Sequence, residues 1–132
     1  MQLAQRLAEY LAEAARPFDW ATHNCCHFAA GWVRLIEGLD AMPLVPTPDA
    51  MQAWRLIASY GGLADAITQE LGRAPIAPAE ARLGDVVLMP LMSERASVGI
   101  SNGRVSMFLA DDGSVLALPT LQAVHAWRIG AA

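Results

Sequence analysis

Cys25 and Cys26 are the only cysteines among 132 residues, and they lie in a fifteen-residue stretch, Phe18 to Trp32, that also holds His23, His27, Trp20 and Trp32. Thiol and imidazole together are the parts of nucleophilic acyl transfer: a thiolate attacks, and a base first accepts and later returns a proton. Cys25 falls where a loop feeds the first turn of a helix. The unpaired N–H groups and the positive end of the helix dipole favour thiolate over thiol there. Counted from Cys25, the set Cys25, Phe28, Ala29, Trp32, Leu35 and Ile36 recurs at three and four and forms one inward face. Cys26 opens a neighbouring stripe with Ala30 and Val33, while His27, Gly31, Arg34 and Gly38 share a more polar side. Cys25 and His27 then point about 160° apart, which keeps them from acting as a pair unless the helix starts later. The bland reading of Cys25 is a small apolar residue packing a helix against a sheet, since free cysteine is among the most buried residue types.

Three further candidates stand beside Cys25. His125, the only histidine outside the cluster, alternates with Trp127 and Ile129 on a strand, as either a relocated base or a satisfied strand histidine. His23, Cys25, Cys26 and His27 carry zinc-type donors, but their spacing fits no common zinc pattern and adjacent ligands on a helix diverge, so neither metal nor cofactor is expected. Asp85 is expected to cap or turn into its strand, and the four tryptophans to anchor the core rather than form sugar platforms.

The elements that position these residues are legible in order. Residues 2 to 15 place Leu3, Leu7, Tyr10, Leu11 and Ala14 on one helical stripe, stopped by Pro17. A second helix spans Cys25 to Glu37 and ends at Gly38, a residue suited to a left-handed C-cap. A proline-rich loop follows from Met42 to Pro48, and Thr47-Pro48 predicts the N-cap and first position of a helix running to Ser59. A fourth helix, Leu63 to Leu71, ends at Gly72. Beyond the extended Ala74 to Pro78 the pattern turns to strands. Val86 to Met89 reads as a buried strand, and Ser97–Ser101 and Arg104–Leu109 flank Asn102-Gly103, which predicts a type I′ hairpin. Asp112-Gly113 marks a second hairpin into Ser114–Leu118, and Val124 to Ile129 is the closing strand. The expectation is one α+β domain over residues 1–132, helical over about 1–72 and an antiparallel β-meander over about 83–130.

Composition narrows the function. All nine basic residues are scattered arginines against thirteen carboxylates, giving a net charge of -4 and arguing against a nucleic-acid partner. The apolar run from Val86 to Met92 is far too short to span a membrane. No signal-peptide core opens the chain, so synthesis in the cytoplasm, with exit only by assembly into something larger, is expected. An apolar fraction of 55% suits either an alanine-rich domain or one that buries surface against a partner. Two adjacent cysteines cannot staple distant segments, so no disulfide framework is expected.

The order of these parts resembles the NlpC-type cell-wall peptidases of the papain-like cysteine hydrolase superfamily. Phe18-Asp19-Trp20-Ala21 and Asn24-Cys25 are similar to that family's aromatic-x-Trp-Gly and Asp-Cys, and Gly84-Asp85 and Val98-Gly99-Ile100 fall in the expected order. More closely, the chain resembles small phage and prophage proteins of that superfamily through Cys25 to Ala30, Gly84 to Val87 and Ala126-Trp127-Arg128. The resemblance implies a papain-like fold with Cys25 as nucleophile and a histidine base just before Val98. Here that position is Ser97, which cannot accept the proton at neutral pH. The family's third polar residue falls near the apolar Met107, and Asn24 and Ala21 replace its aspartate and glycine. The implied function is a structural component of a phage or prophage tail, at a tip or baseplate hub, with a degenerate site and other tail proteins as partners. The alternative is an active cysteine peptidase or amidase that cuts peptidoglycan stem peptides, with Cys25 as nucleophile and His125 or His27 as an unconventional base.

Overall fold

The computed structural model describes residues 2–17, 24–40, 50–90, 96–110 and 112–130. The expectations for Phe18 to His23, for the Met42–Pro48 loop with its Thr47-Pro48 cap, and for the end of the apolar run lie outside them, as does the side chain of Trp54.

Among the described residues four helices, α1 (Leu3–Ala14), α2 (Cys25–Glu37), α3 (Ala50–Ser59) and α4 (Leu63–Leu71), precede five strands, β1 (Val86–Pro90), β2 (Ala96–Ser101), β3 (Val105–Leu109), β4 (Val115–Pro119) and β5 (His125–Trp127). All strand pairs are antiparallel, so the chain is an α+β protein. Among the described residues no helix is long and apolar enough to cross a membrane.

The stripe read from α1 packs as expected: Leu7 and Ala14 are buried, and Leu3, Tyr10 and Leu11 lean on the same core. Where α1 crosses α2, the Tyr10 hydroxyl donates to the Phe28 carbonyl at 2.7 Å and lies over Gly31, where a Cβ would collide with it. The inward face of α2 differs from the expected one. Phe28, Ala29, Trp32 and Val33 are buried, whereas Leu35 is 47% exposed. Periodicity allows either flank to complete the stripe, and packing on β2 and β3 selects the Val33 side.

The sheet order is β4-β3-β2-β1-β5, so the closing strand does not extend the meander but returns to pair with β1 at the far edge. Five residues join β4 to β5, three of them in a tight 3-10 turn, Thr120–Gln122. That connection is too short to cross a flat five-stranded sheet, whose edges stand about 19 Å apart. The sheet is therefore curled, around a second core of Val87, Met89, Phe108, Ala123 and Ala126. The opposite face, with Val86, Leu88, Val98, Ile100 and Trp127, meets the helices.

The first hairpin turns one residue later than the type I′ reading. Asn102 N–H bonds the Val105 carbonyl at 2.8 Å, which leaves Gly103 and Arg104 at the tip. Gly103, at φ 92°, takes the first central position, which a type II′ turn reserves for glycine. Thr120 fixes this choice from outside the hairpin, its hydroxyl donating to the Gly103 carbonyl at 2.7 Å and its N–H to the Arg104 carbonyl at 2.9 Å.

Candidate functional site

Cys25 and Cys26 are the first two residues of α2, and both are half-buried. Asn24 ends the preceding loop as the N-cap. Its side-chain oxygen accepts the His27 N–H at 3.0 Å, and its own N–H donates to His27 Nδ1 at 3.3 Å. This reciprocal pair is a capping box in which imidazole takes the place of the usual Glu or Gln. His27 is thereby turned back toward the cap, in keeping with its expected divergence from Cys25. Gly38 closes the helix in the left-handed conformation, φ 71°.

The N-terminus of α2 lies over β2, and four donors act on the Cys25 sulfur: the Cys26 thiol, the Val98 backbone N–H, the Ser97 hydroxyl and the Cys26 backbone N–H. The Cys26 hydrogen bond is the largest influence, and together these donors outweigh burial and draw the Cys25 thiol down from 9.0 to about 7. Cys26 moves the opposite way, because donating its proton to Cys25 and being buried both hold it protonated well above the ordinary thiol range. Above about pH 7 the pair therefore carries its negative charge on Cys25 and keeps its proton on Cys26.

Ser97 is buried, and it meets Cys25 at the place where the resemblance calls for a base. Met107 pairs with Ile100 and packs against the main core. His125 is elsewhere. Leu88 of β1 pairs with Val98 on one side and His125 on the other, which puts His125 two strand spacings, about 10 Å, from Val98. Its ring rests against Trp127, with centroids 6.0 Å apart. Of the residues singled out by sequence, the fold joins Cys25, Cys26 and Ser97 and leaves His125 across the sheet. Among the described residues no three His, Cys, Asp or Glu side chains gather as a metal-holding group.

Sequence reasoning missed the Asn24–His27 capping box, the link from Cys26 to Cys25, and Val98. Asn followed three residues later by a side chain able to accept from the cap N–H was a usable signal for the first. A backbone N–H leaves no trace in residue type. Asp85 does turn into its strand, its N–H donating to the Arg82 carbonyl at 3.0 Å, and it is also a fully buried tie, its Oδ2 accepting Arg82 N–H at 2.8 Å and its Oδ1 accepting Ile129 N–H at 2.9 Å. Arg128 Nε lies 3.1 Å from Asp85 Oδ2. That approach is electrostatic rather than a directed hydrogen bond, since the Nε–H has no acceptor along its bond.

No curated protein matches the chain. A family model does match, over residues 1–129, so nearly the whole chain, Cys25, Ser97 and the Asp85 tie included, falls within it. The protein belongs to the family described as "Domain of unknown function (DUF6950)".

Proposed function

We propose that the protein is a structural component of a phage or prophage tail, at a tip or baseplate hub, built on a papain-like scaffold of the NlpC type that has lost amide hydrolysis. The observation that carries the loss is the hydroxyl of Ser97 beside Cys25, at the position of the family's base. Amide cleavage by a thiolate stalls unless the departing nitrogen is protonated, and a serine hydroxyl is far too weak an acid to do so at neutral pH. The tail setting rests on the resemblance of the Cys25–Ala30, Gly84–Val87 and Ala126–Arg128 segments to small phage and prophage proteins. Two measurements test the proposal. Purified protein incubated with muropeptides releases no product, and isolated tail particles contain the chain in fixed ratio to their other components. A free monomer that cleaves murein overturns it.

A second reading, an active cysteine peptidase or amidase on peptidoglycan stem peptides, draws support from the Cys25 thiol being lowered to about 7. It requires His27 to leave its cap, or His125 to cross the sheet, in order to serve as base. Product release from muropeptides that disappears in Cys25→Ala favours this reading over the first.

A further inference from the structure

β4 is an open edge of the sheet, with β3 on one side and, among the described residues, no strand on the other. Its five residues, Val115-Leu116-Ala117-Leu118-Pro119, carry no charge, and neither do Ser114 and Thr120 at its ends. Leu116 is 50% exposed, and Ala117 and Pro119 are exposed as well. Proteins ordinarily guard such a strand with a charge, a bulge or a covering segment, because its unpaired backbone groups invite pairing with another chain. The opposite edge is guarded in that way: Ile76 lies against β5, its N–H donating to the Ala126 carbonyl at 2.7 Å and its carbonyl accepting the Ala126 N–H at 3.1 Å. We propose that β4 is a dimerisation edge, on which a second copy of this chain pairs its own β4 antiparallel across a two-fold axis at Ala117. This pairing does not depend on the tail reading.

The backbone of β4 fixes which groups are offered. Ala110 N–H bonds the Ser114 carbonyl at 2.8 Å, and Thr120 N–H bonds the Arg104 carbonyl at 2.9 Å. Hydrogen-bonded pairs recur at every second residue of an antiparallel ladder, so Leu116 and Leu118 also turn their backbone groups to β3. Val115, Ala117 and Pro119 turn theirs outward. Proline brings no N–H, so each copy offers two donors, at Val115 and Ala117, and three carbonyls. With Ala117 opposite Ala117 of the second copy, each Ala117 N–H meets the other Ala117 carbonyl, and each Val115 N–H meets the other copy's Pro119 carbonyl. Every outward donor is then used. Only the Val115 carbonyls, opposite the prolines at the rim, are left to water.

Side chains and charge select the same partner. Leu116 lies opposite Phe108 and Leu118 opposite Ser106, so both leucines stand on the face of the second core. The pairing sets the exposed Leu116 of each copy across from Leu118 of the other, in the non-hydrogen-bonded position where side chains approach most closely. At the axis itself only alanine methyl groups meet. Charge lies beyond the two ends of the strand: Asp112 in the turn that leads into it, and Arg104 across the ladder from Thr120, both exposed. An antiparallel second copy brings its Asp112 end to the first copy's Arg104 end, and the reverse, so opposite charges face each other at both ends. A parallel copy would set like beside like. Because Ile76 covers the other edge, the assembly closes at two copies rather than growing into a filament.

The test is sedimentation of the full chain from about 10 μM to about 1 mM, since a single edge pairing buries less than a permanent interface and associates weakly. The weight-average mass is expected to rise from 14.1 kDa toward twice that value. Amide exchange at the upper concentration should slow at Val115 and Ala117, with far less change at Leu118, which already bonds β3. Ala117→Pro deletes an outward N–H without touching the ladder to β3, and Leu116→Lys puts a charge beside the axis. Each is expected to weaken association at least about tenfold while keeping native circular dichroism. If the proline variant fails to fold, the lysine variant, at a half-exposed position, carries the test alone. A chain that stays at 14.1 kDa throughout that range, a dimer that the folded variants leave intact, or growth past two copies overturns the proposal.

Discussion

The Cys25 sulfur owes its acidity to donors of which two, the Cys26 thiol and the Ser97 hydroxyl, can be deleted one at a time. Its alkylation by iodoacetamide is expected to be half-maximal near pH 7, the value to which its thiol is drawn. Cys26→Ala, which deletes the largest influence, moves that midpoint upward, and Ser97→Ala moves it upward by less. An unchanged midpoint in both variants means the helix N-terminus alone sets the acidity. The same pair links stability to pH. A thiol depressed in the folded state contributes stability that is present in full above its ordinary value, 9.0, and is lost as pH falls through about 7. Cys26, held protonated, works in the opposite sense, its contribution being lost as pH rises past the ordinary thiol value. Thermal unfolding followed between about pH 7 and 9.0 should therefore show a midpoint that climbs in wild type and stays flat in Cys25→Ser.

At the level of elements, α2 is the part on which the site depends. Asn24 and His27 satisfy the cap, and the buried Phe28, Ala29, Trp32 and Val33 press the helix on the sheet. Trp32 adds an indole N–H donated to the Gly84 carbonyl at 2.8 Å, which ties the helix to the residue just ahead of the Asp85 tie. Loss of the N-cap in Asn24→Ala is expected to cost about 1 kcal/mol in chemical denaturation. It should also loosen the placement of Cys25 over Ser97, read as faster His27 N–H exchange. Beneath the helix, β2 and β3 approach closely at Gly99, where a Cβ would stand 2.5 Å from the Met107 carbonyl oxygen and 2.4 Å from the Phe108 ring. Glycine is needed there for the space, not for a special backbone angle.

Across the whole molecule, two polar ties bind the chain's end to its middle. Asp85 takes the Ile129 N–H and faces Arg128, while Glu37 receives the two terminal Arg73 nitrogens, each at 2.7 Å, and the Gly130 N–H at 2.6 Å. The second tie is half-open to solvent and contributes little by charge alone; its value is in geometry. Asp85 is sealed, so Asp85→Ala leaves the Arg82 and Ile129 N–H groups without their acceptor and Arg128 without its counter-charge. A loss of about 3 kcal/mol in urea unfolding is expected, whereas a change under 1 kcal/mol would show that water replaces the carboxylate. Since β5 pairs with β1 on one side and on the other is held only by the Ala126–Ile76 bridge, release of this tie should free the closing strand first, seen as early exchange at Trp127 and Ile129.

The sequence alone specified what repeats locally. The stripe of Leu3, Leu7, Tyr10, Leu11 and Ala14, the stops at Gly38 and Gly72, and the buried run Val86 to Met89 follow from periodicity and backbone preference, which act over a few residues. Placing Cys25 at the first turn of α2 was of that kind too. What only the tertiary structure decided depends on residues far apart. Val33 rather than Leu35 faces inward because the sheet selects among faces that periodicity leaves equal. The hairpin tip shifts to Gly103-Arg104 because Thr120, seventeen residues away from Gly103, bonds it there. The closing strand crosses to β1 because the sheet curls around Val87, Met89 and Phe108. For the stretch holding Cys25, long-range packing settled its company. It set the Ser97 hydroxyl and the Val98 N–H beside the sulfur and left His125 two strands away.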